Sequence, residues 1–229
     1  MPLESPASWL TRATLRQGTT VLRMVRYLGW MSRDLDQWFA DFYADGVPSD
    51  VPELRRLQVA LRVMKAFKAS GLASERLLLF DGRKCRYRYC PRCLATDPSP
   101  YFRIHWRFAC WLYCPDHSCQ MRDTCPACDR FVRLPVSLVT AGPKGSGIAE
   151  LSECAVCGHA LSDSRAAPIG TSLAHDSPQV QMHYANGRAV LAALYHGGFR
   201  LSPTGANLPL KSLRTLDREG LIPSRLAEE

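Results

Sequence analysis

Apolar residues recur at helical spacing through the first third of the chain, and short polar or glycine-marked breaks divide them into separate helices. Ser5 followed by Pro6 reads as an N-cap with proline in the first turn, opening a helix with Trp9, Leu10 and Ala13 on one side and Gly18 at its end. Thr19 or Thr20 then caps a second helix, with Val21, Leu22, Val25 and Leu28 inward, Arg23 and Arg26 outward, and Gly29 as the stop. Ser32 and Asp34 start a third, carrying Leu35, Trp38, Phe39 and Phe42. Three short helices with such turns fit a helix-turn-helix arrangement. Residues 46 to 52 read as a linker. Asp50 and Glu53 have capping-box spacing and launch a longer helix with Leu54, Leu57, Leu61, Met64 and Phe67 on one stripe, closed by Gly71. A short helix is expected over Glu75 to Phe80.

Beyond Arg83 the period changes from helical to alternating. Cys85, Tyr87 and Tyr89 interleave with Arg86 and Arg88, which predicts a strand with arginines on one face. The aromatic-rich run from Tyr101 to Tyr113 suits the strands of a zinc ribbon, its rings supplying core to a module that has little else. Arg130 to Thr140 reads as a further strand, and Ala141 to Gly147 as a flexible loop. Residues 162 to 178 form a polar connection. Ser177-Pro178 then caps a helix through Val180, Tyr184, Leu191 and Leu194, with a break expected at Asn186-Gly187. A loop from Gly197 to Pro209 leads to a last helix through Leu213 and Leu216, ended by Gly220. The expected fold is α+β and mainly helical. Residues 1–80 form a helical, helix-turn-helix-like domain, 81–165 a tandem zinc-ribbon module, and 166–229 a short C-terminal helical region.

Candidate chemistry is concentrated in the middle part. Four knuckles follow one another: Cys90-Pro-Arg-Cys93, Cys114-Pro-Asp-His117, Cys125-Pro-Ala-Cys128 and Cys154-Ala-Val-Cys157. Two soft donors separated by two residues can be aimed at one ion by a tight turn, and four such turns in succession point to two structural zinc ions. Sequential pairing puts Cys90, Cys93, Cys114 and His117 on one ion and Cys125, Cys128, Cys154 and Cys157 on the other. Spacing alone leaves interleaved pairing open. Cys85 or Cys119 as a substitute ligand, and His159 in place of Cys157, are minor variants of the same scheme. A disulfide framework would need an oxidising compartment, and the first residues show neither a basic region nor an apolar stretch of a secretory signal. Reduced cysteines fit a cytosol.

The formal net charge of +8 falls to about +5 once two zinc–thiolate centres are counted. Between residues 83 and 133 there are ten Lys or Arg against four Asp. A field of that sign attracts polyanions, and Arg23, Arg26, Arg86, Arg88, Arg103 and Arg107 are the candidate nucleic-acid contacts. No apolar run is long enough for a membrane span. Apolar helices at both ends make a homodimer conceivable.

Two enzymatic readings fail on their own chemistry. The run from Gly142 to Gly147 is followed by Ile148-Ala149, where a phosphate-binding loop requires Lys and Ser or Thr. A zinc deaminase needs His-x-Glu and an open metal position, yet no Glu occurs between Glu75 and Glu150. Cys85, Cys110 and Cys119 have no motif that would make them nucleophiles and read as small buried hydrophobes.

Around the knuckles stand Leu94, Asp97, Pro100-Tyr-Phe-Arg103 and Trp106-Arg107; upstream lie Glu4-Ser-Pro-Ala-Ser-Trp-Leu-Thr-Arg12 and Asp34-Leu-Asp36. In this order they resemble the TniQ family of transposition proteins, which includes target-site selectors. The resemblance runs from about residue 4 to about residue 134. Ser118 and Met121 depart from it, where family members commonly have Gly and Leu. The resemblance implies a non-catalytic bacterial cytoplasmic adaptor. Its implied partners are an AAA+ ATPase regulator of transposition and target DNA or, in CRISPR-associated transposons, an RNA-guided effector complex. The other function class is a free-standing zinc-containing DNA-binding regulator or attachment-site reader.

Overall fold

The computed structural model describes residues 3–27, 34–43, 46, 50–71, 77–140, 147–163, 177–196, 198–200, 207–212, 215, 218 and 219. Helix α1 (Pro6–Arg16) starts as the sequence requires: Ser5 is extended at the N-cap, its side chain accepts from the Ser8 amide, and Pro6 occupies the first turn. Gly18 at φ 66 ends the helix. Helix α2 (Val21–Tyr27) buries Val21 and Val25 but leaves Leu22 43% exposed, so its inward face is narrower than the pattern implied. Helix α3 (Leu35–Tyr43) is capped by Asp34, whose Oδ1 accepts from the amides of Asp36 and Gln37. The turn through Leu28, Gly29 and Ser32, on which a helix-turn-helix assignment depends, lies outside the described residues.

Helix α4 (Pro52–Ala69) has Val51 at its N-cap without a side-chain bond, because Pro52 fixes the first turn one residue later than Asp50 could cap. Leu57, Leu61, Met64 and Phe67 are buried along its inner stripe, and α3 lies alongside. The helix expected over Glu75 to Phe80 is in part outside the described residues. From Leu78, which bridges to Phe108, the chain is extended.

Among the described residues the metal-bearing region contains almost no sheet. Strands β1 (Phe80–Asp81) and β2 (Lys84–Cys85) pair antiparallel, as do β3 (Tyr113–Cys114) and β4 (Cys119–Gln120). The strand expected from Cys85 through Tyr89 survives mainly as a bridge between Tyr89 and Arg122. Likewise the Arg130–Thr140 strand reduces to bridges from Phe131 to Thr124 and from Val139 to Ile148. Between them lie α5 (Pro91–Thr96) and a 3-10 turn over Ile104–Arg107. The aromatics here are core: Tyr87, Tyr89, Phe102, Trp106 and Phe108 are buried, and Phe108 meets Phe67 of α4 edge-on at 6.0 Å. One hydrophobic core therefore runs from α1–α4 into this region. The backbone joins them too, with the Ser5 amide donating to the Phe102 carbonyl (2.8 Å) and the Ile104 amide to that of Leu3 (2.9 Å).

Helix α6 (Pro178–His196) is continuous, without the break expected at Asn186-Gly187. Gly187 has a packing role: a Cβ added there would lie 2.5 Å from the Trp111 ring. Gly187→Ala gains about 1 kcal/mol of helix propensity but drives a methyl into a rigid indole. Overpacking of that kind costs about 1–3 kcal/mol, so a lower denaturation midpoint is expected, with a smaller penalty in a Trp111→Leu background. Denaturant titration of the four variants checks this. Within the loop expected from Gly197 to Pro209, β5 (Gly198–Arg200) and β6 (Asn207–Pro209) pair antiparallel. Residues 141–146, the 164–176 connection, and Leu213 and Leu216 of the expected last helix lie outside the described residues.

Candidate metal centres and basic surface

The knuckles close into two donor groups in sequential order: Cys90, Cys93, Cys114 and His117, and Cys125, Cys128, Cys154 and Cys157, the donor atoms of each lying within 4.8 Å of one another. In the first group Cys90 is the N-cap of α5 and Cys93 lies one turn on, so the helix start itself sets the spacing of the two sulfurs. The other pair comes from the β3–β4 hairpin, with Cys114 ending β3 and His117 in the turn. Ser118 in that turn has φ 47, the left-handed region where glycine costs nothing and serine is disfavoured.

The second group is built from two equivalent turns. The Asp129 amide donates to the Cys125 carbonyl at 2.8 Å and the Gly158 amide to that of Cys154 at 2.9 Å, and both residues have left-handed φ, 55 and 73. The Cys125 amide in turn reaches the Arg130 carbonyl, and the Cys154 amide that of His159, at 2.9 and 2.8 Å. His159 thus contributes backbone, while Cys157 is the residue whose donor atom groups with those of Cys125, Cys128 and Cys154.

The donors fit a four-coordinate soft metal. Tetrahedral zinc–thiolate bonds of about 2.3 Å place sulfurs about 3.8 Å apart, and a sulfur and an imidazole nitrogen about 3.6 Å apart. In the second group the Cys125–Cys157 and Cys128–Cys154 sulfurs are 3.7 and 3.8 Å apart. In the first, the Cys93 and Cys114 sulfurs are separated by 3.5 Å, and His117 Nδ1 lies 3.3–3.6 Å from Cys90, Cys93 and Cys114. Four protein donors would complete each shell, and thiolate donors favour zinc over a hard cation. The C-terminal helix is tied to the first centre, since Tyr184 Oη donates to the Cys114 carbonyl at 3.1 Å.

The arginines divide into two classes. Arg107 is fully buried: Nη1 donates to Asp36 at 2.7 Å and Nη2 to Asp34 at 3.0 Å. Asp36 also accepts from Ser5 Oγ at 2.6 Å, the Ala7 amide at 2.8 Å and Tyr87 Oη at 2.8 Å. Burial pushes the Asp34 carboxyl up, but the Arg107 guanidinium and two backbone amides more than reverse this, holding it below the usual carboxylate range. Expected as a nucleic-acid contact, Arg107 instead locks α1 and α3 onto the metal-bearing region. Arg103 is likewise 6% exposed at its side chain, bonded to Asp97 and lying over the Tyr101 and Trp106 rings. Arg86 pairs with Asp123 at 2.6 Å above the Phe131 ring, and Arg88 donates to the carbonyls of Ala109 and Trp111. These four serve the interior because a module with so little sheet satisfies its irregular carbonyls and carboxylates with guanidinium forks.

Arg23 and Arg26 remain exposed on α2. The larger cationic face belongs to α4, where Arg55, Arg62 and Lys65 are exposed along one stripe, with half-buried Gln58 between them and Arg56 beside it. No acidic residue occurs between Leu54 and Ala69. Along the chain this stripe has the spacing of an amphipathic helix's polar face, and it is less conspicuous than the dense basic run around the knuckles.

A model of the TniQ family matches residues 1–121. That is more than half the chain, and it includes the Asp34–Asp36–Arg107 lock and all four donors of the first centre. The chain belongs to the TniQ family, a family of transposition-associated proteins. The match ends before Cys125, so the second centre lies beyond it. No curated protein matches the chain. Among the described residues no helix is long and apolar enough to cross a membrane.

Proposed function

We propose that the chain is a non-catalytic targeting adaptor of DNA transposition, joining a target-recognition nucleoprotein or target DNA to an AAA+ ATPase regulator in the bacterial cytoplasm. Family membership across residues 1–121 carries this reading. The chemistry of the sites supports it. Both donor groups are complete without a water, which suits structural zinc ions and leaves no activated nucleophile. Burial pushes the Cys85 thiol up to about 12 and the Cys110 thiol to about 11, away from the reactive range. Bond breaking then belongs to a separate transposase, and this chain contributes a rigid body with basic helical faces.

The test is capture of partners by the purified chain. Retention of an AAA+ transposition ATPase together with a target-bound nucleoprotein is expected. A sequence-specific mobility shift by the protein alone, with no ATPase retained, would favour the free-standing DNA reader. The α4 stripe gives the nucleic-acid interaction a measurable form. Arg55→Gln, Arg62→Gln and Lys65→Gln together are expected to lower the salt slope of log K on duplex by about 2.7, about 0.9 for each phosphate no longer neutralised. An unchanged slope would remove α4 from the interface.

A further inference from the structure

A fifth sulfur lies just outside the four donors of the first centre, in contact with one of them. Cys119 stands opposite Cys114 in the β3–β4 register, is fully buried, and places its Sγ 3.5 Å from Cys90 Sγ. This equals the distance between the Cys93 and Cys114 sulfurs inside the ligand set. His117 is the most exposed of the four ligands, and it sits in the turn that holds Ser118 at a left-handed φ of 47. The donor in the turn with the least comfortable backbone thus has a buried thiol near it, one sulfur contact away from the ligand set. Cys119 belongs to the hydrophobic core, and within it its Sγ also meets a ligand sulfur.

We propose that Cys119 is a reserve ligand of the first centre. When the turn over residues 115–118 opens, Cys119 Sγ bonds the metal as the bond to His117 Nδ1 breaks, and the ion passes from three thiolates and an imidazole to four thiolates. The freed imidazole nitrogen takes up the thiol proton, so no redox partner is required and the ion stays in the chain. The turn that carries His117 is then free to rearrange against a partner without loss of the metal. Metal binding at this centre is the only part of the preceding reading on which the exchange depends; the identity of the partners does not enter.

Cobalt(II) substitution of the full chain tests it, because the sulfur-to-cobalt charge-transfer band counts thiolates. The wild-type chain is expected to bind two ions with seven thiolates, in keeping with its donor groups. His117→Ala is expected to keep both ions with a band raised in the ratio of eight to seven, and His117→Ala/Cys119→Ser to lose one ion. Loss of an ion from His117→Ala alone would overturn the proposal, as would an unchanged seven-thiolate band. A wild-type band of eight thiolates would also overturn it by making Cys119 a resident ligand. If His117→Ala does not fold, Cys119→Ser decides: it is expected to bind two ions yet yield the first to a competing chelator about tenfold faster, the lower end for loss of a metal-supporting group. An unchanged transfer rate would count against the reserve role. A wild-type chain that binds no metal at the first centre would instead refute the metal-centre reading itself.

Discussion

Stripping metal from the two candidate centres is expected to unfold the middle of the chain and to pull down the stability of the N-terminal helices with it. The reason is the poverty of other structure there: the described strands between residues 80 and 120 are two residues long and pair only in twos. Isolated pairs of that size do not hold in water. Structural zinc contributes about 10–16 kcal/mol of apparent binding energy at neutral pH, against a net stability of about 5–15 kcal/mol for a typical domain. A loss of that size is comparable with the whole net stability of such a domain. Because Phe67 of α4 packs on Phe108, and Ser5 and Leu3 are bonded to Phe102 and Ile104, α1 and α4 lose their support at the same time. A strong chelator, or Cys93→Ser, is therefore expected to abolish the near-ultraviolet dichroism of Trp106 and Trp111 and to lower the melting temperature of the remaining helical signal. Cys125→Ser is expected to release one ion only and to leave the first centre loaded. Metal counting on each variant, alongside dichroism, checks both statements.

Replacing Arg107 is expected to have the next largest effect. Its guanidinium is completely enclosed and bridges Asp34 and Asp36, so Arg107→Met leaves two carboxylates without their cation in the interior. Breaking a buried pair on one side costs about 3–5 kcal/mol, a third or more of the stability of many domains. Arg107→Lys is expected to recover little, because an ammonium is a point charge that does not present two parallel donors to two acceptors. Removing a carboxylate as well, in Arg107→Met/Asp34→Leu, is expected to be milder than Arg107→Met alone. Urea titration gives the ranking. The pH dependence has a defined sign. Asp34 is held below its ordinary range, so its contribution is complete above the unfolded value of about 3.9 and is lost as pH falls through the folded value. Acid titration of the folded fraction in Asp34→Asn should lack that part of the slope.

The knuckles were legible because ligand spacing is a local property: a two-residue turn or a helix start fixes it, and each pair appears in the sequence beside its own proline or glycine. Pairing between knuckles is tertiary, and the sequential order became definite only with β3 and α5 in place. Charge was the least legible feature. Arg107 and Arg23 look alike along the chain, and only the Asp34-Leu-Asp36 triplet at the start of α3 marked a buried cation partner, through two carboxylates where a helix cap needs one. Glycine misled for a related reason. Gly187 reads as a helix break from backbone freedom, whereas in the fold its missing side chain makes room for Trp111. At α4 the proline outweighed the capping-box spacing and moved the start by one residue.

The central claim is that two sealed metal centres would hold this chain together. Zinc K-edge X-ray absorption on the purified chain addresses it most directly. Seven sulfurs and one imidazole nitrogen shared by two ions predict an average shell of 3.5 sulfurs and 0.5 nitrogen per zinc, with no oxygen. A shell of three or fewer sulfurs completed by a water oxygen would contradict it.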